Sequence, residues 1–283
     1  MILLFDIGNT KTHLGLANKD RVLRQADVPT NLWFGRGALA RLRHFIGGSR
    51  VGAAALCSVV PRATPRVRSA ARSVGATGVF ELTAKNIAGM TIEYPQPETV
   101  GADRLANALA ARERFGSPVI VVDFGTAVTF DVVNGSGSYA GGIIAPGLAS
   151  MTDYLHEKTA LLPRIRIREV RSSIGKSTEE AMLIGAVHGY RGLVRALIVE
   201  LAAELGVKRL PVVATGGYAR LIAGKLTEIT AVEPGLTLEG LRLACQFASA
   251  AECGGKGAKH LATRRMNMKT SSHEPHRGTI QPA

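Results

Sequence analysis

Val119-Ile120-Val121-Val122-Asp123-Phe124-Gly125-Thr126-Ala127-Val128-Thr129-Phe130-Asp131 runs from an apolar segment through an acid, a glycine and threonines into a second apolar segment. The first run is too short for a helix with a polar face and is dominated by β-branched side chains, which predicts a buried strand ending at Asp123. Gly125 lets the backbone turn tightly and come close to a ligand, while Thr126 and Thr129 offer hydroxyl donors to anionic oxygens. The chain opens on the same design: Met1-Ile2-Leu3-Leu4-Phe5, then Asp6-Ile7-Gly8-Asn9-Thr10-Lys11-Thr12, then Leu14-Gly15-Leu16-Ala17. Gly-Asn also suits an ordinary hairpin turn, so this first loop gains its meaning from the second copy at Asp123. Two such units imply a duplicated fold.

Outward from these units, the 283 residues are 46% hydrophobic, ample for two packed domains. We expect them at 1–117 and 118–253, followed by a basic, disordered tail at 254–283. No stretch approaches the roughly 20 uninterrupted apolar residues of a membrane helix, and Asp6 stands where a signal peptide needs an apolar core. A cytoplasmic protein without membrane contact is expected. Cys57, Cys245 and Cys253 lack metal-ligand spacing and read as reduced thiols. The formal charge of +13 suits an anionic ligand or nucleic acid. Its basic residues are spread over several predicted helices without interleaved aromatics, so no specific nucleic-acid partner is expected.

Hydrophobic periodicity gives an α/β order. Strands are predicted at Val22 to Val28, Val51 to Val60, Val79 to Leu82 and Met90 to Tyr94. Helices are predicted over Ala38 to Phe45, from Thr64 (as N-cap) to Ser73, and over Ala102 to Phe115. In the second half, strands Thr129 to Val133 and Tyr139 to Ile144 flank an Asn134-Gly135 turn. A helix runs from Pro146-Gly147 through Leu161, and a long one from Thr178, as N-cap, to Leu205. A strand at Leu210 to Ala214 leads into Thr215-Gly216-Gly217, a helix at Tyr218 to Lys225 and a last helix from Thr237 to Glu252. Gly175-Lys176-Ser177 has the ending of a Walker A motif, but Val170 stands where that motif needs glycine, so it is not a P-loop. His13, His44, His156 and His188 are scattered over different elements. Trp33 reads as a cover for apolar surface.

The ordered set of motifs resembles the type III pantothenate kinases, in the superfamily of acetate and sugar kinases, heat-shock chaperone ATPases and actin. It comprises Asp6 to Thr10, Ser58-Val59-Val60-Pro61, Tyr94 before Gly101-Ala102-Asp103-Arg104, Asp123 to Thr129, and Gly141 to Gly147. Thr159 to Pro163, Ile174 to Thr178, Thr215-Gly216-Gly217 and Leu238-Glu239-Gly240-Leu241 complete it. The resemblance covers residue 1 to about 250 and implies duplicated ribonuclease-H-like (actin-like ATPase) domains with a nucleotide cleft between them. It implies ATP-dependent phosphorylation of pantothenate, the entry to coenzyme A synthesis, by a homodimer.

Asp6 at a strand end can hold Mg2+ directly or through water, with amides and hydroxyls from Gly8 to Thr12 turned to phosphates. By resemblance Asp6, Ile7, Gly8, Asn9, Thr10, Lys11, Thr12 and His13 contact ATP, with Thr126, Gly216 and Gly217. Asp123 helps hold a monovalent cation, K+ or NH4+. A phosphoryl transfer to an alcohol needs a carboxylate for the hydroxyl proton, and an arginine can grip a substrate carboxylate. The resemblance makes Asp103 that base and gathers Tyr94, Gly101, Ala102, Asp103, Arg104 and Thr178 around pantothenate. Asp103 and Arg104 also read as plain first-turn charges of the helix to Phe115, and Thr178 as an N-cap and no more. A regulatory accessory factor with this fold is the alternative outside enzymology, and a kinase or phosphatase acting on acetate, a sugar or polyphosphate is the alternative within it.

Overall fold

The computed structural model describes residues 1–207 and 209–253, so the tail at 254–283 lies outside the described residues. β1 (Ile2–Ile7), β2 (Lys11–Ala17), β3 (Val22–Pro29), β4 (Ala53–Ser58) and β5 (Gly78–Glu81) form one sheet in the order β3-β2-β1-β4-β5. β6 (Val119–Phe124), β7 (Ala127–Val133), β8 (Tyr139–Pro146), β9 (Val212–Thr215) and β10 (Ala231–Val232) form another in the order β10-β9-β6-β7-β8. β1 is antiparallel to β2 and parallel to β4; β6 is antiparallel to β7 and parallel to β9. Counted outward from β1 and from β6, the two sheets have one topology. This is the duplication that the repeated Asp-x-Gly units announce.

Both central strands are covered on both faces, which is why their sequences are continuous apolar runs. Leu3, Phe5 and Ile7 enter a core under α1 (Ala38–Ile46) and α2 (Thr64–Ser73), while Leu4 faces the opposite way. Ile120, Val122 and Phe124 enter a core with α6 (Tyr190–Leu205) and α7 (Ala219–Ala223), while Val119 and Val121 face the opposite way. Leu4 and Val121 share one central core between the sheets. Since side chains alternate along a strand, Asp6 lies on the side of Leu4 and Asp123 on the side of Val121. Both acids therefore face the junction.

Two helices fill that junction, each against the sheet from the other half of the chain. α3 (Ala102–Phe115) packs on β6 and β7, and α8 (Leu236–Cys253) on β1, β2 and β4. They cross at Gly240, where an added Cβ would fall inside the Ala106 carbonyl. Leu238 and Leu241 beside it are buried in the central core, so the Leu-Glu-Gly-Leu motif is the α8 half of this crossing.

Several boundaries differ from the sequence expectation. Thr64 is the first helical residue of α2 rather than its cap, and its hydroxyl donates to Ser58 Oγ at 2.8 Å. The long helix begins one residue earlier in its cap: Ser177 Oγ accepts the Glu180 N–H at 3.2 Å, and Glu180 Oε2 accepts the Lys176 N–H at 2.7 Å. Ser177 is therefore the cap and Thr178 the first residue of α5 (Thr178–Ile184). A π turn at Gly185–Gly189 then separates α5 from α6. Thr178–Leu205 is long and apolar enough to cross a membrane by composition, but it packs on the second sheet through Ala186, Tyr190, Val194 and Ile198. α4 (Leu148–Lys158) stops short of Leu161. Met90 to Tyr94 makes a single bridge, Ile92 to Tyr139, in place of a strand.

Candidate active site

The first loop is a tight turn between β1 and β2, closed by Gly8 N–H donating to Lys11 O at 3.0 Å. A Cβ at Gly8 would stand 2.9 Å from that oxygen. Asn9, Thr10 and Lys11 are exposed at its tip. Ile7 and Thr12 are fully buried. The Thr12 hydroxyl is turned inward, 3.0 Å from Thr30 Oγ1, and accepts the Trp33 Nε1–H at 2.9 Å. Thr30 Oγ1 in turn donates to Gly8 O at 2.6 Å. Thr12 thus braces the turn from behind instead of offering its hydroxyl to an anion, which corrects the expectation for its side chain. His13 follows on β2 with Nδ1 2.7 Å from Asp27 Oδ1. Asp6, opposite His13, accepts the Cys57 Sγ–H at 3.5 Å from β4.

The second loop repeats the turn, with Gly125 N–H donating to Ala127 O at 3.0 Å. The Thr126 carbonyl accepts the Gly147 N–H at 3.2 Å and the Ser150 hydroxyl at 2.8 Å. A side chain on Gly147 would overlap that carbonyl, which gives the glycine ending the Gly141 to Gly147 motif its reason. Asp123 Oδ2 accepts Asn107 Nδ2–H at 3.0 Å. Gly216, at φ +90°, lies so close that a Cβ would stand 2.5 Å from Asp123 Oδ1. Glycine is required there twice over, by its conformation and by the carboxylate. Gly217 beside it is exposed.

Gly101 caps α3 without a side-chain bond, and Asp103 Oδ1 accepts the Arg104 N–H at 2.9 Å in the first turn. Arg104 reaches β7: Nε donates to Asp131 Oδ1 at 2.6 Å and Nη2 to Phe130 O at 3.4 Å. Asp131 is fully buried and also accepts from Tyr139 OH at 3.0 Å and Thr129 Oγ1 at 3.3 Å. Burial would strip charge from Arg104, but the Asp131 carboxylate outweighs it and holds the guanidinium above its ordinary value. Two of its five N–H donors are engaged by these bonds. The Tyr94 ring is within 3.6 Å of the Cβ position of Gly141 on β8 and is 40% exposed. Tyr94, Gly101, Asp103 and Arg104 therefore line the junction beside β7 and β8. Thr178 stands exposed at the start of α5 and makes none of these contacts.

Three carboxylates converge electrostatically. Burial pushes Asp6 up to about 7, eased by His13 and reinforced by the charges of Asp103 and Asp123. Burial pushes Asp123 up to about 6, with the Asn107 bond opposing it. Asp103 is also raised by burial, against the Arg104 N–H. Such crowding of negative charge is relieved by cations. Among the described residues no three His, Cys, Asp or Glu side chains gather as a ready metal cage. A lone carboxylate beside a glycine turn fits instead an ion that takes its other oxygens from water and phosphate, as Mg2+ does with ATP. Asp6 and Asp123 each stand beside such a turn.

Sequence reasoning missed Asp131, Asn107 and Thr237. Asp131 carried a signal, since a charge inside an apolar strand demands a buried partner. Asn107 carried another, one helical turn after Asp103 on the same face.

Duplicated ribonuclease-H-like sheets with an acid from each central strand facing the junction define the actin-like ATPase fold. The family model for type III pantothenate kinase matches residues 2–200. A type III pantothenate kinase from Akkermansia muciniphila is 47% identical over 243 residues, covering 86% of this chain and 97% of that one. Another from Methylacidiphilum infernorum is 40% identical, covering 86% and 87%. The chain belongs to the type III pantothenate kinase family. Among solved structures, a Campylobacter jejuni protein described as a Baf family transcriptional activator matches with TM-score 0.56 at 16% identity, over 86% of this chain and 97% of that one. At that identity the likeness is one of fold.

Proposed function

We propose that the chain phosphorylates pantothenate with ATP, the first step of coenzyme A synthesis, with Asp103 as general base. The observation that carries this is the start of α3, where Asp103 stands near enough to Asp6 and Asp123 for its charge to raise both, while Arg104 beside it is held by Asp131. ATP phosphates would lie against Gly8 to Lys11 and Thr126, with Gly216 and Gly217 toward the adenosine. Mg2+ at Asp6 would neutralise charge on the transferring phosphoryl group, and K+ or NH4+ would sit at Asp123.

The chain's own residues do the rest. Arg104, fixed by Asp131, turns its remaining donors to the pantothenate carboxylate and so orients the hydroxyl. Asp103 takes that hydroxyl proton on its carboxylate as the oxygen attacks phosphorus. Burial raises its proton affinity and makes it the stronger base. Tyr94 closes the pocket wall. We propose the division of the chain into 1–117 and 118–253, which the presence of one sheet in each part supports, with α3 and α8 exchanged across it.

We further propose a cytosolic homodimer. Exposed Ile144, Met151, Tyr154, Leu155, Leu161 and Ile174 are concentrated on edge strand β8, α4 and the segment beyond, an apolar stretch suited to a second copy.

A coupled ADP-release assay with pantothenate, acetate and glucose tests the activity. Release is expected with pantothenate alone, and turnover of either other substrate at equal rate would overturn the assignment.

A further inference from the structure

Asn107 is a polar side chain in the most apolar stretch of α3, 1% exposed among Leu105, Ala106, Ala108 and Leu109. A buried amide must find partners on both ends. Its Nδ2 donates to Asp123 Oδ2 at 3.0 Å, and its Oδ1 accepts the Thr237 hydroxyl at 2.8 Å. The order of these bonds is forced. An ionised carboxylate only accepts, so the amide nitrogen must face Asp123; the amide oxygen then needs a donor, and Thr237 supplies it.

The three residues come from α3, β6 and the first turn of α8. α8 lies on the first sheet and β6 belongs to the second, so this relay crosses the junction. Asn107 also sits one helical turn below Asp103, on the same face of α3. The helix that offers the base is thereby fastened to the carboxylate of the other loop.

We propose that Asn107, locked by the Thr237 hydroxyl, is a positioning residue that fixes the Asp123 carboxylate and sets its affinity for the monovalent cation. This rests on the proposed cation role of Asp123. Without the amide donor the carboxylate loses its one hydrogen bond from a neutral side chain and is free to rotate toward Gly216. Without the Thr237 hydroxyl the amide loses what prevents it from turning its oxygen to the carboxylate.

The test uses the full-length chain with Thr237→Val, which keeps the shape and removes the hydroxyl, Thr237→Ser, which keeps the hydroxyl, and Asn107→Leu. Two quantities are measured: the K+ concentration for half-maximal kinase activity, and the rise in melting temperature on adding KCl in place of choline chloride to the substrate-free protein. Thr237→Val is expected to raise the half-activating K+ concentration about tenfold, or about 1.4 kcal/mol, with KM for MgATP within about twofold. It should also lose most of the K+-induced thermal shift, and Asn107→Leu should do the same. Thr237→Ser should match the parent in both. An unchanged K+ response in folded Thr237→Val, or an equal loss in Thr237→Ser and Thr237→Val, would overturn the relay. A parent protein with no K+ response in either measurement removes the Asp123 reading and the relay with it; a responsive parent with unaffected variants removes the relay alone. Where Asn107→Leu does not fold, the Thr237 pair decides.

Discussion

Asp103 is proposed to carry a proton, and its surroundings equip it to do so: it is partly buried, raised above the usual carboxylate range, and accepts the Arg104 N–H. Asp103→Asn keeps the size and that bond but cannot take the proton. Turnover should fall about 10²- to 10⁴-fold with melting temperature nearly unchanged. Near-parental turnover in the folded variant would remove Asp103 from the role. The base must be ionised to act, so activity of the parent should decline as pH falls through its raised value, earlier than an ordinary aspartate would allow. Acids at the ends of apolar runs were legible because the pattern is local: Asp6 and Asp123 each close a strand, whereas Asp103 was singled out through the resemblance carried by Gly101 to Arg104. Asp131 and Asn107 were not, because their meaning lies in distant partners. Thr237 meets Asn107 only after the whole second sheet has been laid down between them.

Elements show the same divide. Strand period and apolar runs placed β1 to β9, but not the two-residue β10, and offered a strand at Met90 to Tyr94 where only a bridge forms; the cap of α5 moved by one residue because Ser177 and Thr178 carry the same chemistry. The π turn after α5 was hidden, since apolar spacing is nearly the same through it. What no period reports is which sheet a helix will cover, and the exchange of α3 and α8 falls in that blind spot. Gly240 is the point on which the exchange depends. Gly240→Val would drive side-chain carbons into the Ala106 backbone and separate the helices. Such overpacking costs about 1–3 kcal/mol, and displacement of Asp103 should lower kcat as well. Denaturant unfolding and steady-state kinetics on the one variant check both; parental stability would mean that the helices slide without cost.

For the molecule as a whole, acids raised by burial tie stability to pH: the partly buried Asp6 and Asp123, and the fully buried Asp131, also raised to about 7. Asp6 at about 7 and Asp123 at about 6 bind protons more tightly folded than unfolded. Their contribution is complete below the ordinary aspartate value of about 4 and is lost as pH rises through about 6 and then about 7. Substrate-free protein in choline buffers should therefore melt lower at about pH 8 than at about pH 5, and MgATP with K+ should restore most of the difference. A shallower profile in Asp6→Asn/Asp123→Asn would assign that share of the slope to these residues; a flat profile in the parent would refute it. Assembly is checked separately by light scattering: the parent is expected at twice the chain mass and Tyr154→Asp at once. A parent at single mass would dismiss the homodimer. One last consequence follows from Trp33, the only tryptophan of the chain, whose ring stands edge-on to Phe5 with its nitrogen bonded to Thr12 under the first loop. The protein carries its own fluorophore beneath the first loop, the proposed seat of the nucleotide phosphates, so emission from a single indole can be titrated against ATP without a label, and stopped-flow mixing can time binding apart from the chemistry that follows.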